Sequence, residues 1–180
     1  MEPNAVTVDV AGHLLTIIHG LPGHLDSYLS NAAFADTRDL RQVNGSPSLI
    51  TAGGGTAWPE FVAVLRSRFE GTLFPLGVAL VPETGVLFVG GGQVARAYSL
   101  REPVEHLWDE VVECGFWSWR RTDDVMVMSA ELELAAWSID GQKLWTRFVE
   151  PPWGYEVVDG IVHLDVMGAL STFPLRPEPG

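Results

Sequence analysis

Val86-Leu87-Phe88-Val89-Gly90 and Val125-Met126-Val127-Met128-Ser129 lie 39 residues apart and decide how the chain is read. Each short apolar run is followed by an aromatic-Ser-apolar element. After the first run it is Ala97-Tyr98-Ser99-Leu100; after the second, again 39 residues on, it is Ala136-Trp137-Ser138-Ile139. A Leu-Trp pair closes each copy, Leu107-Trp108 and Leu144-Trp145, 37 residues apart because Asp140-Gly141 makes a shorter turn. A third, partial copy starts at Ile161-Val162-His163-Leu164. Recurrence at such a period marks a repeated supersecondary unit.

Around these copies, short apolar runs alternate with turn residues from residue 76 onward: 78–82, 86–90, 94–100, 116–120, 125–130, 132–139, 143–149, 154–158, 161–166 and 170–175. Glu83-Thr84-Gly85, Asp140-Gly141 and Asp159-Gly160 are hairpin signals, because Gly tolerates the positive φ of tight turns. Connections this short leave no room for crossover helices, so the sheets should be antiparallel. The fold class expected is mainly β, with antiparallel sheets built from blade-like repeats and one or two short helices, about 59–70 and 103–114. Pro59 suits a first helical position, and Phe61, Leu65 and Phe69 recur every four residues; the same three share parity and also fit one face of a strand. Val104, Leu107, Trp108, Val111 and Val112 follow helical spacing between Pro103 and Gly115, with Glu105, His106, Asp109, Glu110 and Glu113 opposite. The repeat instead makes Leu107-Trp108 the start of a strand. Residues 1–75 are poorly readable beyond a strand at Leu14–His19 and another at Ser48–Ala52, and 76–180 hold the repeats. At this length one domain spanning 1–180 is expected.

The unit resembles a blade of a β-propeller, most nearly the quinoprotein-like blade. Glu83-Thr84-Gly85-Val86-Leu87-Phe88-Val89-Gly90, Ala97-Tyr98-Ser99-Leu100 and Ile139-Asp140-Gly141-Gln142-Lys143-Leu144-Trp145 carry the resemblance, over residues 81 to about 166. It implies four-stranded sheets with a terminal apolar-Trp pair packed between blades. A propeller closes as a ring of roughly four to eight blades, and residues 1–80 do not repeat the pattern. A β-sandwich or open blade stack therefore stands beside the ring, and no cofactor is carried over from the resemblance.

Composition narrows the partners. The chain has 11 Lys+Arg against 23 Asp+Glu, a formal net charge of -12, with 47% apolar residues. Such a surface repels phosphate, so neither nucleic acid nor an anionic membrane is an expected partner. No apolar run reaches transmembrane length, and Met1-Glu2-Pro3-Asn4 opens no secretory signal. The single cysteine, Cys114, cannot form an internal disulfide and reads as a small buried apolar residue; the compartment expected is the cytoplasm.

Candidate binding residues come from three constellations. Seven Trp in the chain is a high count. Trp108, Trp137 and Trp145 recur at repeat positions and read as core. Trp117 and Trp119 do not recur, share one face of a strand, and are the candidates for a sugar- or base-stacking platform. Strand alternation through Ala130-Glu131-Leu132-Glu133-Leu134 would set Glu131 and Glu133 about 6–7 Å apart on one face, near the spacing of paired glycosidase carboxylates. Polar-out alternation on a half-exposed sheet gives the same pattern, with Leu132 and Leu134 in the core. Glu102, Glu105, Asp109, Glu110 and Glu113 form an acidic run suited to a basic protein. His13, His19, His24 and Asp26 match no metal-ligand spacing, so no metal is expected. With no nucleophile elbow, P-loop, HExxH or CxxC, the leading expectation is a non-enzymatic acidic interaction protein, of inhibitor or immunity type. The alternatives are a carbohydrate- or small-ligand-binding β module using Trp117 and Trp119, and a hydrolase using Glu131 and Glu133.

Overall fold

In the computed structural model, residues 4–55, 58–67 and 75–177 are described. The repeat region forms successive antiparallel meanders. Sheet 2 contains strands β6 (Gly77–Val81), β7 (Val86–Gly91), β8 (Val94–Ser99) and β9 (Glu105–Val111) in sequence order. Sheet 3 repeats it with β10 (Phe116–Thr122), β11 (Val125–Ala130), β12 (Glu133–Ser138) and β13 (Lys143–Phe148). Sheet 4 holds β14 (Trp153–Val158), β15 (Ile161–Val166) and β16 (Ala169–Pro174). Sheet 1, from the poorly readable part, has β1 (Ala5–Val10), β2 (His13–His19), β4 (Ser46–Gly53) and β5 (Phe61–Ser67), with β3 (Phe34–Asp36) parallel to β5 at its edge. Helix α1 spans Leu25–Asn31, and a 3-10 turn spans Arg38–Arg41.

The layers run α1, sheet 1, sheet 2, sheet 3, sheet 4, and each interface is a separate apolar cluster. Leu25, Tyr28 and Leu29 cover Ile18, Leu49, Val62 and Val64 of sheet 1. The other face of sheet 1, including Ile50, Phe61 and Leu65, meets Leu87, Val89 and Tyr98 of sheet 2. Phe88 and Ala97 of sheet 2 meet Phe116, Met128 and Trp137 of sheet 3. Val127 and Leu134 of sheet 3 meet Val162 and Leu164 of sheet 4. Strands β7 and β11 are therefore buried along their whole length. That is why their sequences are continuous apolar runs rather than alternating ones, a pattern best known from sheets covered on both faces. The outer face of sheet 4 breaks the pattern. Phe88 and Val127 have as their repeat equivalent His163, which is exposed. That face carries Glu156, Asp165 and Thr172 beside the exposed Val158 and Leu170, and among the described residues no apolar cluster joins sheet 4 to sheet 1. The arrangement is an open stack of blades.

The repeat extends to the bulge between the third and fourth strands of sheets 2 and 3. The β8–β9 ladder slips between Ala97 and Tyr98, leaving Leu107 as the extra residue; the β12–β13 ladder slips between Ala136 and Trp137, leaving Leu144. The Leu-Trp pair is thus a β-bulge followed by an inward Trp. Trp108 Nε1 donates to the Gly141 carbonyl of the next sheet at 2.7 Å, and Trp145 Nε1 donates to the Leu175 carbonyl at 2.7 Å. Gly141, at φ 90°, makes the turn that presents that carbonyl. Sheets 2 and 3 also close tightly: a Cβ on Gly90 would lie 2.3 Å from the Phe116 ring.

Neither short helix expected at about 59–70 and 103–114 forms. Phe61–Ser67 is strand β5, with Phe61, Ala63 and Leu65 facing sheet 2 and Val62 and Val64 facing α1; residues 68–70 lie outside the described residues. Glu105–Val111 is strand β9, paired along β8. The bulge at Leu107 sets two apolar residues side by side and imitates helical spacing, while ladder pairing overrides the local preference. Helix α1 lies instead at Leu25–Asn31. Cys114 is exposed, not buried, because it occupies the turn after β9 at φ 65°.

Candidate functional site

Strand β9 sends the acidic run to two different places. On one side lies a buried ionic network that sequence reading missed. Asp36, Asp39 and Arg96 are 4%, 1% and 6% exposed, at the junction of sheets 1 and 2. Arg38 Nε donates to Asp36 at 2.9 Å and Tyr98 Oη donates to it at 2.7 Å. Arg96 donates to Asp39 at 2.8 Å, and the Arg66 backbone N–H donates to the same carboxylate at 3.1 Å. Asp109 joins from β9: its Oδ1 lies 3.0 Å from Arg96 Nε and 3.2 Å from His106 Nε2, and it pairs with Arg38. Burial alone would raise the Asp36 pKa, but Arg38, Tyr98 and Arg96 hold it well below the usual carboxylate range. Burial and the Asp36 charge push the Tyr98 phenol up. Every carboxylate here touches a cation, but Asp36, Asp39 and Asp109 share the two guanidinium groups of Arg38 and Arg96, so the network joins the two sheets and keeps one formal negative charge, nearest the solvent at Asp109.

On the other side, Glu110, Glu113 and Glu133 converge. A cleft of about 260 Å³ opens between β9 and β13, lined by Val111, Glu113, Leu132, Glu133, Thr146 and Phe148. Val111 and Phe148 are 80% and 64% exposed at its mouth. Lys143 pairs with Glu110 at 3.0 Å. Among the described residues Glu133 makes no such pair. Burial pushes its carboxyl pKa up, repulsion from Glu110 and Glu113 adds to this, and only Lys143 and the Glu113 backbone N–H oppose it. The cleft offers an apolar floor and under-compensated negative charge, the chemistry that accepts the stem and head of a Lys or Arg.

The other candidates fall elsewhere. Glu102 and Glu105 are exposed, Glu105 on β9 opposite Ser99. Glu131 sits in the bend before β12, outside the strand, so it does not share a strand face with Glu133. Its backbone carbonyl accepts from Trp153 Nε1 at 3.0 Å. Leu134 is core, whereas Leu132 lines the cleft. A register shift between Phe116 and Ser118 turns Trp117 away from Trp119, so the two do not share a face. Trp119 packs among Phe88, Phe116 and Trp137. Trp117 stacks on Trp153 at 5.2 Å between sheets 3 and 4. Trp108, Trp137 and Trp145 all pack in the inter-sheet clusters. Among the described residues no group of three His, Cys, Asp or Glu side chains is arranged to hold a metal, and no helix is long and apolar enough to cross a membrane.

The fold defines a class: a β protein of stacked, propeller-like blades. No family model matches the chain, and no curated protein matches it in sequence. Among solved structures it is similar to BamB from Moraxella catarrhalis, a β-propeller, at 13% identity and a TM-score of 0.47, covering 92% of this chain and 41% of that one. It is also similar to the propeller Hsv2 of Kluyvelomyces marxianus, at 12% identity and a TM-score of 0.33, covering 58% of this chain and 34% of that one. A KlHsv2 variant with loop 6CD replaced by a Gly-Ser linker matches at 10% identity and a TM-score of 0.33, over 58% and 36%. The chain thus spans less than half the length of each of these structures.

Proposed function

We propose that this protein is a non-enzymatic interaction module whose β9–β13 cleft receives a Lys or Arg side chain of a basic protein. The observation that carries the reading is Glu133: a half-buried carboxylate, raised by burial and by Glu110 and Glu113, whose opposing cation, Lys143, is already paired with Glu110. A guanidinium or ammonium entering the cleft relieves that repulsion, while its stem covers Leu132 and the exposed Val111 and Phe148. An inhibitor- or immunity-type role is the specific form of this reading, because covering a basic site needs surplus acid on a rigid support. The formal net charge of -12 adds long-range steering toward such a partner. A cytoplasmic setting belongs to the same reading and is supported by a single cysteine in the chain.

The test is calorimetric titration with a hexa-arginine peptide at low and high salt. Binding should weaken with salt, fall about tenfold in Glu133→Gln and Glu113→Gln, and persist in Glu156→Gln on the far sheet. Equal loss in all three variants would reduce the effect to bulk charge and refute the cleft.

A further inference from the structure

A second surface lies away from the acidic cleft, at the opposite margin of the stack. Sheets 2 and 3 are tight where Phe116 seats on Gly90, but sheets 1 and 2 splay apart where β1 faces β6. An apolar groove of about 300 Å³ opens there, lined by Val6, Val8, Leu15, Ile17, Val78 and Leu80 among others. Val6 and Val8 are 51% and 53% exposed.

The groove runs beside a free strand edge. Among the described residues β1 pairs only with β2. The His19 N–H donates to the Asn4 carbonyl at 2.9 Å, and the register continues Ala5↔Ile18, Val6↔Ile17. Hydrogen-bonded and non-hydrogen-bonded pairs alternate along an antiparallel ladder. Val6, Val8 and Val10 therefore bond to β2, and the N–H and C=O groups of Ala5, Thr7 and Asp9 point outward. Natural sheets guard such edges with charge, proline or brevity. Strand β9 carries Glu105 and Asp109, β13 carries Lys143 and Arg147, and β16 ends on Pro174. Strand β1, Ala-Val-Thr-Val-Asp-Val, has six residues, no proline and one charge; it is as lightly guarded as β6 and β14, and its outward groups border the apolar groove.

We infer that this margin is a strand-addition site: an extended segment of a partner protein pairs with the outward groups of Ala5, Thr7 and Asp9, and its alternate side chains fill the apolar groove. The occupant is apolar at every second position and carries Lys or Arg opposite Asp9, the sole charge on β1. Charge also selects against a second copy, since two chains would each bring a formal net charge of -12. Main-chain bonds supply affinity and the groove supplies specificity, as in known strand-addition complexes.

The test is an amide NMR titration with the peptide acetyl-Lys-Val-Thr-Val-Lys-Val-amide, against a control of the same composition with the apolar residues adjacent. Shifts should cluster at residues 5–10 and 78–80 for the alternating peptide. Val8→Lys should weaken binding by about tenfold or more. Thr7→Pro removes an outward N–H but no β1–β2 backbone hydrogen bond and should do the same, whereas Thr7→Val, which also loses the Thr7–Thr16 hydroxyl contact, should bind as the parent. Far-UV circular dichroism checks that each variant is folded. Equal binding of the control peptide, or no shifts at millimolar peptide, overturns the proposal. A dimer in sedimentation that Val8→Lys abolishes also overturns it, by giving the groove to a second copy.

Discussion

Asp109 and Glu110 are adjacent on one strand yet belong to opposite electrostatic worlds. Asp109 enters a network in which Asp36, Asp39 and Asp109 meet Arg38 and Arg96, with the Arg66 backbone N–H on Asp39. Glu110 pairs with Lys143 beside a cleft that Glu113 and Glu133 line, where Lys143 also acts on Glu133. Acid paired at a buried junction, as Asp36 and Asp39 are with Asp109 closing the network from the surface, holds sheets together; acid that is under-compensated beside an open cleft is available to a partner. The same composition serves both, and only the face of the strand separates them.

The comparison predicts opposite responses to substitution. The largest effect should come from Asp39→Ala. It strands the buried Arg96 guanidinium, and losing one member of a buried pair costs about 3–5 kcal/mol. Urea denaturation should show the loss, and an effect under 1 kcal/mol would make the network a surface ornament.

Acid should act next. The Asp36 pKa is lowered in the folded state, so its contribution is full above the unfolded value, about 3.9, and is lost as pH falls below it. Stability measured from pH 6 to pH 2 should therefore drop, and Asp36→Asn should flatten the drop.

Trp108→Phe and Trp145→Phe each remove one indole hydrogen bond to the next sheet and should each cost about 1 kcal/mol. Equal losses would sharpen the equivalence of the two repeat positions; a large inequality in thermal melts would break it.

The smallest effect has the opposite sign. The Glu133 pKa is raised, so its charge opposes folding at neutral pH and is relieved as pH falls through the folded value toward the unfolded one. Glu133→Gln should gain at most about 0.5 kcal/mol at pH 7 and nothing near pH 3.

Much of sheets 2 to 4 was legible in the sequence. The runs at 86–90 and 125–130, the Tyr98/Trp137 equivalence and the two Leu-Trp pairs gave strands, antiparallel order and core, because each unit repeats its local signals. Strand β9 has helical spacing in the sequence because a bulge residue, Leu107, counterfeits it. Trp117 and Trp119 were placed on one face for a related reason: the irregularity between Phe116 and Ser118 changes parity, which no composition reveals. Sheet 1 was poorly legible. Its β3 pairs in parallel with β5, and Asp39 meets Arg96 57 residues away. Such pairings are set by tertiary proximity and leave no periodic trace. The acidic run was visible, but its division between Asp109 and Glu110 required the strand that the helical spacing had hidden.

Whether Glu133 is the acceptor in the cleft can be read from a carboxyl-carbon NMR titration of that residue, free and with hexa-arginine. The Glu133 carboxyl should titrate above the ordinary glutamate value in the free protein, and its pKa should fall once the peptide is bound. An ordinary value that the peptide leaves unchanged would contradict that role.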